Sequence, residues 1–454
     1  MSLRDKMLGV IADVNAQVAE REELVEMIAI ALLTRKNLFI LGDPGQAKSF
    51  AINAFRARIT GAVQFERLLS KQTDEEQLFG RIDLASLIPG SVPEKLLEQD
   101  GRYQEMRKAL EAAMDDQRNY PEHDAPNQTV VELTAKMEAY RKAMAALYPP
   151  EPMVDTTGKL PEAHICFLDE IFKCNDGVLN SLLTALNERK YTNEGRTYNI
   201  PAISFFAASN EIPNFNDPQE KILAALYDRL ELKVVTTNIA DRGKRLAVLR
   251  EKQNGHFGAI HASITLDELE AMQKEVAAVS VPDAVNELMD DILCELRKDV
   301  PVSDRKYLNY YPIAQAKAWL EGHSAVQSAD LLTLKDYLWY KPADIPTVEA
   351  TLTRMCVNPM QDKVNDIWWM AKGVSEDLDN TVGEGAEPRK AFRKFRAELI
   401  RVYGLYSDLV GKAQGDNEKK LLEGLLSDME NLSRSAHEKY GFTPMPLKEL
   451  AELT

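Results

Sequence analysis

The apolar run Asn37-Leu38-Phe39-Ile40-Leu41 passes directly into Gly42-Asp43-Pro44-Gly45-Gln46-Ala47-Lys48-Ser49 and then into a helix-patterned segment. A short strand, a tight turn of small residues and a helix, in that order, commit this part of the chain to α/β architecture. Before it, Leu24, Ile28 and Leu32 keep helical spacing. Backbone N–H groups of such a turn, with the helix N-terminus behind them, surround a polyphosphate, and small residues permit the close approach. In this pattern Lys48 reaches the β/γ-phosphates of ATP and Ser49 ligates Mg²⁺, the chemistry of a Walker A loop. Ala47 departs from the strict pattern, which has glycine at that position. An ordinary Gly/Pro turn is the competing explanation, but Lys48-Ser49 beside three small or turn residues exceeds what a turn needs.

Two more apolar runs, His164–Leu168 and Ile203–Ala208, flank a helical segment at Asp176–Glu188, which predicts a doubly wound parallel sheet. The first ends in Asp169-Glu170, a Walker B arrangement: one acid for the magnesium shell, its neighbour to polarise a water for attack on the γ-phosphate. Asp169 is the expected metal acid and Glu170 the expected base. The second ends in Ser209-Asn210, which sets a short polar side chain at the same sheet edge to position that water. Taken singly, an Asp-Glu pair is common surface chemistry and an Asn is a common turn residue.

The chain of 454 residues exceeds what one hydrophobic core usually serves, so at least one further domain is expected. The balance of 55 Lys and Arg against 71 Asp and Glu, a net charge of −16, opposes non-specific attraction to nucleic acid. Four cysteines without C-x-x-C spacing and six scattered histidines suggest neither a zinc site nor a disulfide framework. No apolar run approaches the ~20 residues needed to span a bilayer. A soluble cytoplasmic protein without a targeting segment is the expectation.

The domain plan reads as an α/β nucleotide-binding domain at 1–238, an all-α lid at 239–341 and a C-terminal helical domain at 342–454. The lid includes candidate helices at Leu266–Val279, Pro282–Arg297, Ser303–Glu321 and Ser328–Trp339. The stretch from Leu84 to Thr157 lacks strand alternation and looks inserted. Leu96, Tyr103, Met106, Leu110 and Met114 form one stripe; Val130, Leu133, Met137, Tyr140, Met144 and Leu147 form another. With a break beginning at Asn119-Tyr120-Pro121 and Pro149, Pro150 and Pro152 closing it, an antiparallel helical hairpin is predicted. A Gly- and acid-rich break at Glu376–Pro388 is expected to precede two long amphipathic helices that pair, carrying Phe392–Leu409 and Leu421–Leu432.

Taken together, Gly42–Ser49, Gly158–Ala163, Phe167–Ile171, Leu182–Arg189, Ala207–Glu211 and Ala225–Arg229 resemble the MoxR family of AAA+ ATPases, and within it the RavA branch. That family commonly carries alanine where Ala47 stands. The likeness spans roughly residues 10–345 apart from the insertion, and Leu338-Trp339-Tyr340 also resembles the RavA branch. It implies that Asn210 is a sensor, that Arg229 is an arginine finger, and that Arg305 is a second sensor. It also implies that Val18, in Val18-Ala19-Glu20-Arg21, touches the adenine. A finger contributed by the next subunit neutralises charge building on the γ-phosphate, worth ~10³–10⁵ in rate, and implies a ring, usually a homo-hexamer in this family. Competing readings are a cation placed at a helix C-terminus for Arg229, a solvated side chain for Arg305 and plain core for Val18. Ser303 as N-cap puts Arg305 in a first turn, where the macrodipole disfavours a cation unless an anion compensates.

The resemblance implies a chaperone-like ATPase that remodels or activates a partner, for which the family's usual partners are von Willebrand factor A-domain proteins. The insertion enlarges a hairpin that faces the pore in MoxR-type proteins; engagement of a partner and self-packing decoration are both open. Two other functions remain: a nucleic-acid motor or loader, against which the charge counts, and an ATP-gated scaffold with little turnover, against which Glu170 and Arg229 count. The basic run Arg389, Lys390, Arg393, Lys394, Arg396 and Arg401 alternates with apolar residues as a solvated helix face does. No β-patterned segment interrupts 376–388, so the small β domain found in some RavA-like proteins is not expected.

Overall fold

Apolar runs without alternation belong to strands covered on both faces. The computed structural model describes residues 2–119, 124–147, 153–193, 196–218, 220–254, 260–357, 359–383, 387–411 and 416–452. Five strands build its main sheet: β1 Leu38–Leu41, β2 Gln64–Leu68, β3 Ile165–Asp169, β4 Ser204–Ser209 and β5 Leu232–Val235. All pair in parallel, in the order β5-β1-β4-β3-β2. The three strands expected from sequence are the central three, each within one residue of its predicted start. Along β3 and β4 every residue from Ile165 to Leu168 and from Ser204 to Ser209 is buried.

The two outer strands are additions to the sequence reading. Four of the five residues of β2 are exposed, and β5 carries Lys233 inside its apolar run, where burial lowers the ammonium to about 8 and its Nζ lies 4.6 Å from the Tyr227 ring centre. Parallel alignment brings the C-terminal ends to one edge, with Leu41 opposite Ser209 and Ala208 opposite Asp169. That edge carries the Gly-rich loop.

The chain divides into two compact units, Met1–Val279 with Gln315–Ser324, and Ser280–Ala314 with Ala325–Thr454. The first holds the sheet. Its helix Asp176–Glu188 begins where Asn175 accepts the Val178 N–H at 3.0 Å and ends on Arg189 in the left-handed region, a cap worth about 1 kcal/mol.

The insertion is rooted in a two-residue antiparallel ladder, Arg81–Ile82 against Val154–Asp155, a strand element that the sequence reading lacked. Gly80, at φ 107°, leads into it, and a Cβ there would overlap the Asp155 carbonyl. Beyond it run Glu94–Gln99, Gly101–Asn119 and Asp124–Ala145. Leu96 therefore sits on a separate short helix, because Asp100 breaks the run, accepting from the Tyr103 N–H at 2.7 Å and the Tyr140 hydroxyl at 3.1 Å. Val92, Leu97, Tyr103, Met137 and Met144 form a small core of the hairpin's own. Tyr120, Pro121, Pro149, Pro150 and Pro152 lie outside the described residues.

In the second unit, Pro359–Gly383, Pro388–Val410 and Asp416–Lys439 share one core, including Ala371, Leu399 and Met429. The predicted pair of helices is thus a bundle of three long helices, whose core also takes in Leu447 and Leu450 of the short helix Leu447–Glu452. The expected break at Glu376–Pro388 is narrower, since helix continues through Gly383. The single helix predicted over Ser303–Glu321 is also two, Asp304–Leu308 and Tyr311–Glu321. Pro312 suits a first turn and not a helix interior.

Candidate functional site

The loop between β1 and helix Lys48–Arg56 owes its shape to three positions. Gly42 follows the strand so tightly that a Cβ would overlap Thr236 Oγ1 and Gln46 Oε1. Gly45 has φ 84°, which costs glycine nothing. Ala47, the residue before the helix, has φ 60° and ψ 24°, a conformation that costs a side-chain-bearing residue ~1–2 kcal/mol. This is how alanine meets a backbone requirement that glycine ordinarily meets.

Lys48 is buried, and its Nζ donates to the carbonyl oxygens of Gly42 and, at 3.2 Å, Ser209. Burial lowers its ammonium against the opposing pull of Asp169, Glu170 and Asp43. Asp169 closes β3, and burial holds its carboxyl above the usual range, with the negative charges of Glu170 and Glu66 adding to that. Its Oδ1 accepts the Glu170 N–H at 3.0 Å. Glu170 itself stands at φ 54°. Its Oε2 pairs with Lys173 Nζ at 3.1 Å and has no hydrogen bond among the described residues. Asn210 is exposed one residue beyond β4, at the same edge. Ser49 lies in the first helical turn after the loop.

These residues fit a nucleotide with its metal. Thr236 and Gln46 pack against Gly42 too closely for a side chain there, the space at Gly45 is open, and Lys48 supplies a cation. A hydroxyl and a carboxylate, Ser49 and Asp169, are the donor set Mg²⁺ takes when phosphate and water complete its shell. Among the described residues no group of three His, Cys, Asp or Glu gathers to hold a metal unaided.

Beside the loop opens a cleft of about 560 Å³, lined by Val18, Ala19, Arg21, Gln46, Phe50 and Val248 among others. Val18 is buried in its wall. Glu20, at φ 54°, accepts the N–H groups of Ala240 at 2.7 Å and Asp241 at 2.9 Å; those bonds hold its carboxyl below the ordinary range. Arg21, which sequence reading passed over as part of a segment, is buried against the loop. A buried arginine in a polar-looking segment leaves no periodic signal.

Arg229 is not brought to this edge. Its carbonyl oxygen accepts from Asn37 Nδ2 at 2.9 Å, just before β1 begins, while the loop follows the end of β1. The two sites are separated by a strand's length, on the order of 10 Å. Arg229 Nε is buried without a hydrogen bond among the described residues. Arg305 belongs to the second unit, exposed in the first turn of Asp304–Leu308, where Ser303 Oγ accepts the Lys306 N–H at 3.3 Å. The N-cap is as predicted, but so short a helix has little macrodipole, and Asp304 beside it pairs with Arg297, so the dipole argument for an anion at Arg305 loses its force.

Residues 5–98 and 144–274 match the model of the MoxR domain in the MoxR-vWA-beta-propeller ternary systems, and residues 280–352 match an AAA lid domain. Among curated proteins the chain is 25% identical over 444 residues to the uncharacterized protein MJ0812 of Methanocaldococcus jannaschii, covering 96% of this chain and 95% of that protein. It is 26% identical over 368 residues to MJ0079 of the same organism, covering 81% of this chain and 78% of that one. The structural protein ORF618 of Acidianus two-tailed virus is 26% identical over 261 residues, 50% of this chain and 39% of its own. The crystal structure of a candidate ATPase from Cytophaga hutchinsonii shares the fold, with a TM-score of 0.54 at 15% identity over 78% of this chain and 94% of its own. With its parallel five-stranded sheet, Gly-rich loop and lid match, the chain belongs to the MoxR family of AAA+ ATPases.

Proposed function

We propose that the chain binds ATP with Mg²⁺ and hydrolyses it, as a ring-forming, chaperone-like remodeller of a partner protein. The observation carrying this reading is the convergence of Lys48, Asp169 and Glu170 at one sheet edge, with Lys48 Nζ on the Ser209 carbonyl and the Glu170 N–H on Asp169 Oδ1. Lys48 neutralises the β/γ-phosphates and the N–H groups of Gly42–Ser49 line the polyphosphate. Ser49 and Asp169 would hold Mg²⁺, which would supply charge neutralisation at the polyphosphate when bound. Glu170 takes a proton from the attacking water, and Asn210 orients that water. Val18 packs on the base.

Arg229 serves the nucleotide of the neighbouring copy, which suits its distance from its own chain's loop, and this makes a ring, in our reading a homo-hexamer. Arg305 is the second sensor. Residues 1–238 form the engine, 239–341 the lid and 342–454 a helical domain for docking. The RavA-like branch is favoured by Leu338-Trp339-Tyr340. A von Willebrand factor A-domain protein is the partner class suggested by the ternary systems for which the matching domain is named. No described helix is long and apolar enough to cross a membrane; the reading is a cytoplasmic machine.

The test is steady-state ATP hydrolysis beside Glu170→Gln across protein concentrations that span assembly. Turnover per subunit is expected to rise with concentration, and Glu170→Gln to abolish it while ATP still binds. Wild type that binds ATP yet turns over no faster than the variant at any concentration overturns the hydrolytic reading.

A further inference from the structure

Arg21 is buried, 5% exposed, and has no ion-pair partner among the described residues. Its guanidinium instead grips backbone oxygens. Nε and Nη2 donate to the Gln46 carbonyl at 3.2 and 3.1 Å, Nη2 also to Thr237 at 2.5 Å, and Nη1 to Glu20 at 2.7 Å. Two N–H donors from one cation on a single carbonyl fix its direction.

In a trans peptide the C=O and the following N–H point in opposite directions. With the Gln46 oxygen turned to Arg21, the Ala47 N–H must point away from Arg21. The peptide is also under strain, because Ala47 is held at φ 60°. Rotating the plane between residues 46 and 47 would let Ala47 relax to negative φ, and such strain persists only where surroundings over-determine it. Gln46 adds a second hold through its side chain, whose Oε1 accepts from Thr236 Oγ1 at 2.9 Å.

We infer that Arg21 is a positioning residue, the latch that keeps the 46–47 peptide of the phosphate loop in its strained, binding-competent orientation. This rests on the phosphate-loop reading above. It extends it by tying the segment before the sheet to the donor geometry of the loop: Arg21 acts through Gln46, not by touching phosphate.

The latch is tested with Arg21→Gln, Arg21→Lys, Ala47→Gly and the Arg21→Gln/Ala47→Gly double variant. Two readouts are used: titration with a fluorescent ADP analogue, and amide hydrogen exchange of the nucleotide-free protein. Arg21→Gln should weaken ADP binding by about tenfold or more, as expected for losing charge-assisted bonds. It should raise exchange at residues 45–49 while β3 and β4 keep their protection. Arg21→Lys should recover part of the loss, since one ammonium cannot span both contacts. Ala47→Gly should restore several-fold of the affinity lost by Arg21→Gln, because glycine removes the strain that favours the flipped peptide. Strictly additive effects of the two substitutions, or unchanged affinity and exchange in both Arg21 variants, overturn the latch. Wild type that fails to bind ADP overturns the phosphate-loop reading instead, and the exchange arm then judges the latch alone.

Discussion

Asn37 Nδ2 donates to the Arg229 carbonyl at 2.9 Å, and its Oδ1 accepts from Arg189 Nη2 at 2.7 Å and the Phe205 N–H at 3.3 Å. One amide thus pins the peptide between residues 229 and 230 to the end of the sheet remote from Lys48. If Arg229 works on a neighbour's nucleotide, Lys48→Ala and Arg229→Ala should each lower turnover ~10³-fold or more. Mixed in equal amounts, they should regain activity, because some interfaces then pair an intact loop with an intact arginine. A mixture as inactive as its components removes Arg229 from the composite site.

Ala47 gives a stability prediction of opposite sign. Replacing it with glycine relieves ~1–2 kcal/mol of left-handed strain and loses ~0.4–1 kcal/mol to the freer unfolded chain. The balance is a small gain, roughly 0.5–1 kcal/mol, read as a higher melting temperature of the nucleotide-free protein. A lower one means that the Ala47 methyl makes contacts worth more than the strain.

Asp13 and Arg58 form a buried pair, Nε to Oδ2 at 2.7 Å, with side chains 7% and 1% exposed. The same carboxylate oxygen accepts the His261 N–H at 3.0 Å. Burial pushes the Asp13 carboxyl up, but the His261 N–H and Arg58 outweigh it, and the folded pKa lies below the ordinary aspartate value. The pair's contribution is therefore complete above the unfolded aspartate pKa of about 3.9 and fades as pH falls through the lower folded value. Asp13→Asn strands the Arg58 charge and should cost about 3–5 kcal/mol near neutral pH. Urea unfolding from pH 7 down to pH 3 should show the gap to wild type closing only at the acid end.

In the three-helix bundle, Leu399 is 1% exposed. Leu399→Ala should destabilise that unit by about 2–5 kcal/mol, seen as earlier loss of helical circular dichroism on heating. ADP affinity should hold, since the phosphate loop belongs to the other unit's core. A parallel fall in affinity at temperatures where the bundle is still folded refutes that independence.

How far the sequence could be read follows from where its signals lie. β1, β3 and β4 were legible because strands covered on both faces need apolar residues throughout, and the loop chemistry between β1 and its helix permits few residue types. β2 was not, since Glu66 and Arg67 lie in an edge strand that solvent reaches. β5 was hidden by Lys233, a cation that the fold buries over Tyr227. Acidic residues 376–379 read as a break, yet Leu378 faces the bundle core within the same turns. Lys48, Asp169 and Glu170 announced themselves by adjacency to strands. Arg21 did not, because its partners are backbone oxygens brought to it only by folding.

The ladder at the foot of the insertion sets Arg81 opposite Asp155 and Ile82 opposite Val154, with the Asp83 N–H on the Met153 oxygen at 2.8 Å. Anything spliced between those paired ends enters and leaves through one doorway, so its length is free of the sheet's geometry. The MoxR match itself skips residues 99–143, which hold most of the hairpin. The hairpin is a cassette in the cutter's sense: excised and bridged by a short turn, it should leave a chain that still closes on itself.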